Sequence, residues 1–153
     1  METMEKAYES MAALNKSARD CMVSYRVHSC TDITGFGLLG HSFEMAQGSN
    51  AALEIHTSAI TFIPKVKELA AQGNFPGGLS RNRMYSEKFV DPGTVDQLTQ
   101  DLLFDPETSG GLLISVDPQD AEALLSDLQD KVPCAQKIGR VIDRTGGPYI
   151  YLK

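Results

Sequence analysis

Between Val23 and Ala46 the spacing of apolar residues changes period. In "MVSYRVHS" Val23, Tyr25 and Val27 alternate with Ser24, Arg26 and His28, a period of two that predicts a strand with one buried face. From Gly35 onward Phe36, Leu39, Phe43 and Ala46 fall on one helical stripe, with Gly48 as a stop. The residues between, "TDITGFGLLGH" at 31–41, hold one acid, two threonines, three glycines and a histidine. A strand must hand over to a helix inside this stretch, with residues 31–34 in the connection.

The rest of the chain is organised around similar elements. Met4, Tyr8, Met11, Leu14 and Ala18 predict an amphipathic helix over 2–18. "AALEIHTS" reads as a short strand, and "IPKVKELAAQGN" as a helix opened near Pro64 and ended at Gly73. Residues 74–93, rich in turn formers, read as a long irregular segment. Thr94 and Gln97 form a capping box ahead of Val95, Leu98 and Leu102. Asp117 caps a helix with Pro118 at its first position and Ala121, Leu124, Leu125 and Leu128 as its stripe. Leu112–Val116 is a strand, and "AQKIGRVID", "RTGGP" and "YIYL" close the chain as a hairpin. Five strands interleaved with about five helices imply an α+β domain, a mixed sheet packed with helices.

At 153 residues, 42% hydrophobic and 22% charged, the chain suits one domain with a core of its own. Its formal net charge of −6 argues against nucleic acid or an anionic membrane as partner. No apolar run approaches a membrane span, and the N-terminus has no signal-peptide core, so a cytoplasmic location is expected. Cys21, Cys30 and Cys134 match no zinc spacing and read as free thiols.

Two stretches have the residue types for chemistry. Asp32 either caps the following helix or faces a Mg²⁺ bound to substrate phosphates, since Mg²⁺ takes one or two carboxylates with phosphate oxygens and water. Thr31 and Thr34 offer hydroxyls, and Gly35 allows close approach to a backbone or ligand. "GFGLLG" has the spacing of a dinucleotide fingerprint, but the flanking "TDIT" and the lack of a placed ribose acid weigh against that reading. The second stretch, "DPETSGG", is either a turn before a strand or a small-residue loop, with Thr108, Ser109 and Gly110, lying on the same ligand. His41 reads as structural. Arg81 and Arg83 are either solvated or clamp phosphate.

The blocks "CTDITGFGLLGH", "PGG", "RN", "LLFDPETSGGLLISV", "IGRV" and "GGPYIYL", in this order, resemble the C-terminal half of the selenophosphate synthetase (selenide, water dikinase) family. The likeness runs from about Ala7 to the last residue and extends to the wider aminoimidazole ribonucleotide synthetase-like superfamily. It implies that superfamily's C-terminal-domain fold over 1–153. It also implies an enzyme that turns ATP, selenide and water into selenophosphate, AMP and phosphate for selenocysteine synthesis. The site would lie against an N-terminal domain, with Asp32 as a Mg²⁺ ligand at the ATP phosphates. The family's N-terminal half has no counterpart here, so the chain alone is expected to be inactive. The full-length protein is expected to be a homodimer, with the state of this chain left open. A related superfamily synthetase, or a non-catalytic module acting with a separate N-terminal domain, are the alternatives.

Overall fold

The computed structural model describes residues 2–153. In chain order these form α1 (Glu2–Ala12), α2 (Lys16–Met22), β1 (Val27–Asp32), α3 (Gly37–Gly48), β2 (Ala52–Ile55), α4 (Val66–Ala71), α5 (Gly78–Ser86), β3 (Val90–Asp91), α6 (Gln97–Phe104), β4 (Leu112–Val116), α7 (Ala121–Gln129), β5 (Gly139–Ile142) and β6 (Ile150–Leu152). The α+β expectation holds, with the strands split into two sheets. β1 and β4 make an antiparallel ribbon, and a four-stranded mixed sheet runs β3-β6-β2-β5.

The core is the face of α3 against the mixed sheet. Leu39, Phe43 and Ala46, three of the four residues of the expected stripe, pack with Leu53, Ile55, Ile150 and Leu152 of the sheet and with Leu79, Leu103 and Phe104 of α5 and α6. The fourth, Phe36, is exposed and stacks on Tyr85 with ring centroids 5.3 Å apart.

Several local expectations are corrected. The first helix breaks after Ala12, and Met4, Tyr8, Met11 and Leu14 are exposed; Leu14 keeps 79% of its surface. The alternation from Val23 is not a strand. Val23 ends α2, and β1 starts at Val27 and runs through Asp32. Residues 74–93 are not irregular. They hold α5 and β3, and α5 turns Leu79, Asn82 and Ser86 inward, so two of its three buried positions are polar and leave no apolar period.

The α6 cap is Asp96, which accepts from the Thr99 amide at 2.9 Å and the Thr99 hydroxyl at 2.7 Å; Thr94 lies outside the helix. Asp117 caps a turn through the Gln119 amide, and α7 begins only at Ala121. The terminal hairpin does not form. β2 lies between its two strands, antiparallel to β5 and parallel to β6. β6 takes an inner position because Ile150 and Leu152 are both buried, at 0% and 1% exposure. Among the described residues no helix is long and apolar enough to cross a membrane.

Candidate functional site

Asp32 is the last residue of β1, opposite Leu112 at the start of β4. The pairing continues past both strands. The Ile33 amide donates to the Gly111 carbonyl and the Gly110 amide to the Ile33 carbonyl, each at 2.9 Å. The Glu107 amide donates to the Thr34 carbonyl at 3.0 Å. The two sequence blocks therefore form one continuous hydrogen-bonded structure, with Asp32 on one side and Thr108, Ser109 and Gly110 on the other.

Its glycines are set by this contact. Gly37 has φ +70°, and a Cβ there would lie 2.6 Å from the Asp105 carbonyl oxygen. A Cβ on Gly110 would fall within 2.1 Å of the Glu107 carboxyl and 3.0 Å of the Ile33 carbonyl. Gly35 differs: no atom beyond its immediate neighbours lies within 4 Å of where its Cβ would be, and the residue is exposed. Gly37 and Gly110 thus serve backbone packing, and Gly35 leaves open space beside Thr34.

Asp32 is not a helix cap. Phe36 holds the cap position of α3, and no side chain caps that helix. The Asp32 carboxylate is exposed and makes no hydrogen bond or ion pair with the described residues. The Thr31 hydroxyl donates to the Asp32 carbonyl at 3.2 Å, and the Thr34 hydroxyl lies 3.1 Å from His41 Nε2. His41 is buried and its Nδ1 sits 3.2 Å from Glu44, so it orients Thr34 and has the structural role expected of it.

Three residues of this structure do not stand out as site residues in the sequence. Asn82 is buried and donates from Nδ2 to the carbonyls of Gly35 and Phe104, each at 2.9 Å, tying both loops to α5. Its signal was the "RN" pair. Glu107 and Asp105 are two half-buried acids within the second loop. Burial, with the Asp105 charge beside it, pushes the Glu107 carboxyl up to about 7, and burial raises Asp105 as well. Asp105 Oδ1 is buried without a partner.

Other candidates stand apart. Arg83 is committed to Asp101 and Glu87, each at 2.6 Å, and lies over the Phe104 ring, so it is not a phosphate clamp. Arg81 is exposed on α5. All three cysteines are free, and burial together with Asp32 pushes the Cys30 thiol up, away from an activated thiolate.

Asp32 sits in an open depression of about 510 Å³ whose lining includes Lys16, Arg19, Cys30, Thr31 and Leu112. As a donor set this fits part of a Mg²⁺ site. An unengaged carboxylate suits a hard cation that completes its shell with phosphate and water. Among the described residues no group of three or more His, Cys, Asp or Glu side chains is placed to hold a metal ion, so a Mg²⁺ at Asp32 would need further ligands from outside them.

Comparison with known proteins bears on this arrangement. The family described as "AIR synthase related protein, C-terminal domain" matches residues 3–151. Selenide, water dikinase of Treponema denticola is 43% identical over 148 residues, covering 94% of this chain and 42% of that protein. The Clostridium botulinum (strain Eklund 17B / Type B) protein of the same name is 42% identical over 141 residues, covering 92% and 41%. The chain thus spans about two-fifths of the length of these relatives. Among solved structures, HypE of E. coli, a hydrogenase maturation protein, aligns with a TM-score of 0.64 over 93% of this chain and 36% of that one, at 21% identity. That likeness concerns the fold.

Proposed function

The chain belongs to the family of AIR synthase related proteins as their C-terminal domain, and from this we propose that it is the C-terminal part of a selenophosphate synthetase. The complete enzyme would convert ATP, selenide and water to selenophosphate, AMP and phosphate. The observation that carries the reading is the joined pair of loops, which holds an exposed carboxylate, Asp32, without a hydrogen-bond or ion-pair partner among the described residues. The naming of relatives above 40% identity as selenide, water dikinases supports the substrate class.

In this reading Asp32 holds a Mg²⁺ at the ATP phosphates. The ion would withdraw charge from phosphate oxygens that otherwise repel an anionic nucleophile. The ribbon fixes Asp32 on a strand end, a firmer mount than a free loop. The Thr34 hydroxyl is held by His41, and Gly35 leaves open space next to it in the chain. Thr108, Ser109 and Gly110, joined to the β1 end through Ile33, would offer hydroxyls and amides to phosphate oxygens.

The remaining metal ligands and the group that handles selenide belong, in this proposal, to an N-terminal domain. That domain would cover the apolar face of α1, formed by Met4, Tyr8 and Met11, and build the homodimer. The length of the relatives beyond the matched region supports this assignment. The test is AMP formation from ATP with selenide, measured for this chain alone and for the chain joined to a synthetase N-terminal domain. The joined protein should turn over, and Asp32→Asn should cost it about 100-fold or more, the scale of several kcal/mol of lost charge stabilisation. Full turnover by the chain alone, or by the Asn variant, would contradict the reading.

A further inference from the structure

We propose that Lys16 and Arg19 of α2 form a cationic wall that receives the oligophosphate of a nucleotide in the Asp32 depression. The proposal rests on the reading of Asp32 as the metal-side carboxylate and extends it to the residues that meet the anion.

α2 is anchored by Ala18 and Cys21, which are buried. That anchoring turns Lys16 and Arg19, one helical turn apart, to the outside, where both line the depression together with Thr31 and Asp32. Their pairing is unequal. Both cations lean on a single acid, Asp20, with Lys16 Nζ at 2.6 Å and an Arg19 guanidinium nitrogen at 3.1 Å. Two positive charges against one carboxylate leave a net positive charge on the wall, in a chain whose formal net charge is −6.

Neither cation pairs with Asp32, although they share its depression. Left open, the arrangement presents a carboxylate for a cation and two cations for an anion, side by side. A metal-bound oligophosphate has that dipolar demand. A divalent ion neutralises only part of the phosphate charge, and the rest needs Lys or Arg, with the guanidinium suited to two oxygens at once. Asp20 then acts as the internal competitor that holds both side chains in place while the site is empty.

The test uses inorganic tripolyphosphate as the probe, titrated into the chain with and without Mg²⁺ and followed by amide NMR. Shifts are expected at residues 15–19 and 31–32. Lys16→Gln with Arg19→Gln should weaken Mg²⁺-free binding tenfold or more, and Asp20→Asn should tighten it about threefold, with thermal melting of both variants checked against the parent. Unmoved α2 amides, or unchanged affinity in the Lys16/Arg19 variant, would overturn the proposal. Asp32→Asn separates it from the reading it rests on. If Asp32→Asn removes the Mg²⁺ enhancement while the wall variant binds normally, the wall is wrong and the metal reading survives. If the wall variant weakens binding while Asp32→Asn changes nothing, the wall stands without that metal role.

Discussion

The backbone amide of Glu107 donates to the carbonyl of Thr34 at 3.0 Å, joining two loops that lie far apart in the sequence. With the Ile33 bonds to Gly110 and Gly111 it makes the β1–β4 ribbon continue past its strands. Asp32 is thereby fixed at a defined edge and not in a freely moving turn.

Gly37→Ala should unpick this joint. The φ of +70° alone costs a non-glycine residue about 1–3 kcal/mol, and the new methyl would press on the carbonyls of Phe104 and Asp105. Chemical denaturation should show a loss of at least about 2 kcal/mol, against little change for Gly35→Ala, which meets open space. Equal midpoints for the two variants would refute the packing role.

Asn82→Leu removes the donor shared by the Gly35 and Phe104 carbonyls. A buried acceptor left unpaired costs roughly 1–3 kcal/mol. The urea midpoint should fall accordingly, and the amides of both loops should exchange faster while those of β2 and β6 stay protected. Unchanged exchange at residues 33–37 and 105–110 would count against Asn82 as their tie.

Stability should fall as pH rises from about 4.5 to 7. The Glu107 carboxyl is raised from 4.5 to about 7 in the fold, so its stabilising contribution is complete below the unfolded value and is lost as pH passes through the folded one. The span is on the order of 3 kcal/mol, and the raised Asp105 works in the same sense. Asp120, held near 2 by hydrogen bonds from Arg26, acts oppositely, losing its contribution only in acid. Glu107→Gln should flatten the profile between pH 5 and 7 and leave the acid limb intact. A parent profile flat in that window would contradict the burial of Glu107.

The sequence carried the main outline of this fold, because α3 has a clean apolar period and the glycine blocks are distinctive. Its failures have particular causes. Val23 and Tyr25 alternate as a strand does, yet the chain there is leaving α2, and a two-residue period over so few positions cannot tell the cases apart. α5 was hidden because Asn82 and Ser86 fill its inward face. The hairpin inference failed because β6 finds its partners in β2 and β3, a long-range choice that local turn residues do not encode. In the site, Asp32 was legible as an acid beside glycines, but the cap reading needed the helix start, which lies at Gly37. Lys16 and Arg19 could not be placed near Asp32 from spacing, since only the tertiary fold brings α2 to the end of β1.

If Asp32 offers its carboxylate to a divalent ion at a nucleotide's phosphates, a paramagnetic ion bound there must broaden the amides around it. Mn²⁺ with ATP should be added to the chain and to Asp32→Asn, and amide intensities compared. Broadening centred on residues 31–34 and 107–110, and lost in the variant, is expected. Broadening elsewhere, or a pattern that Asp32→Asn leaves unchanged, would contradict it.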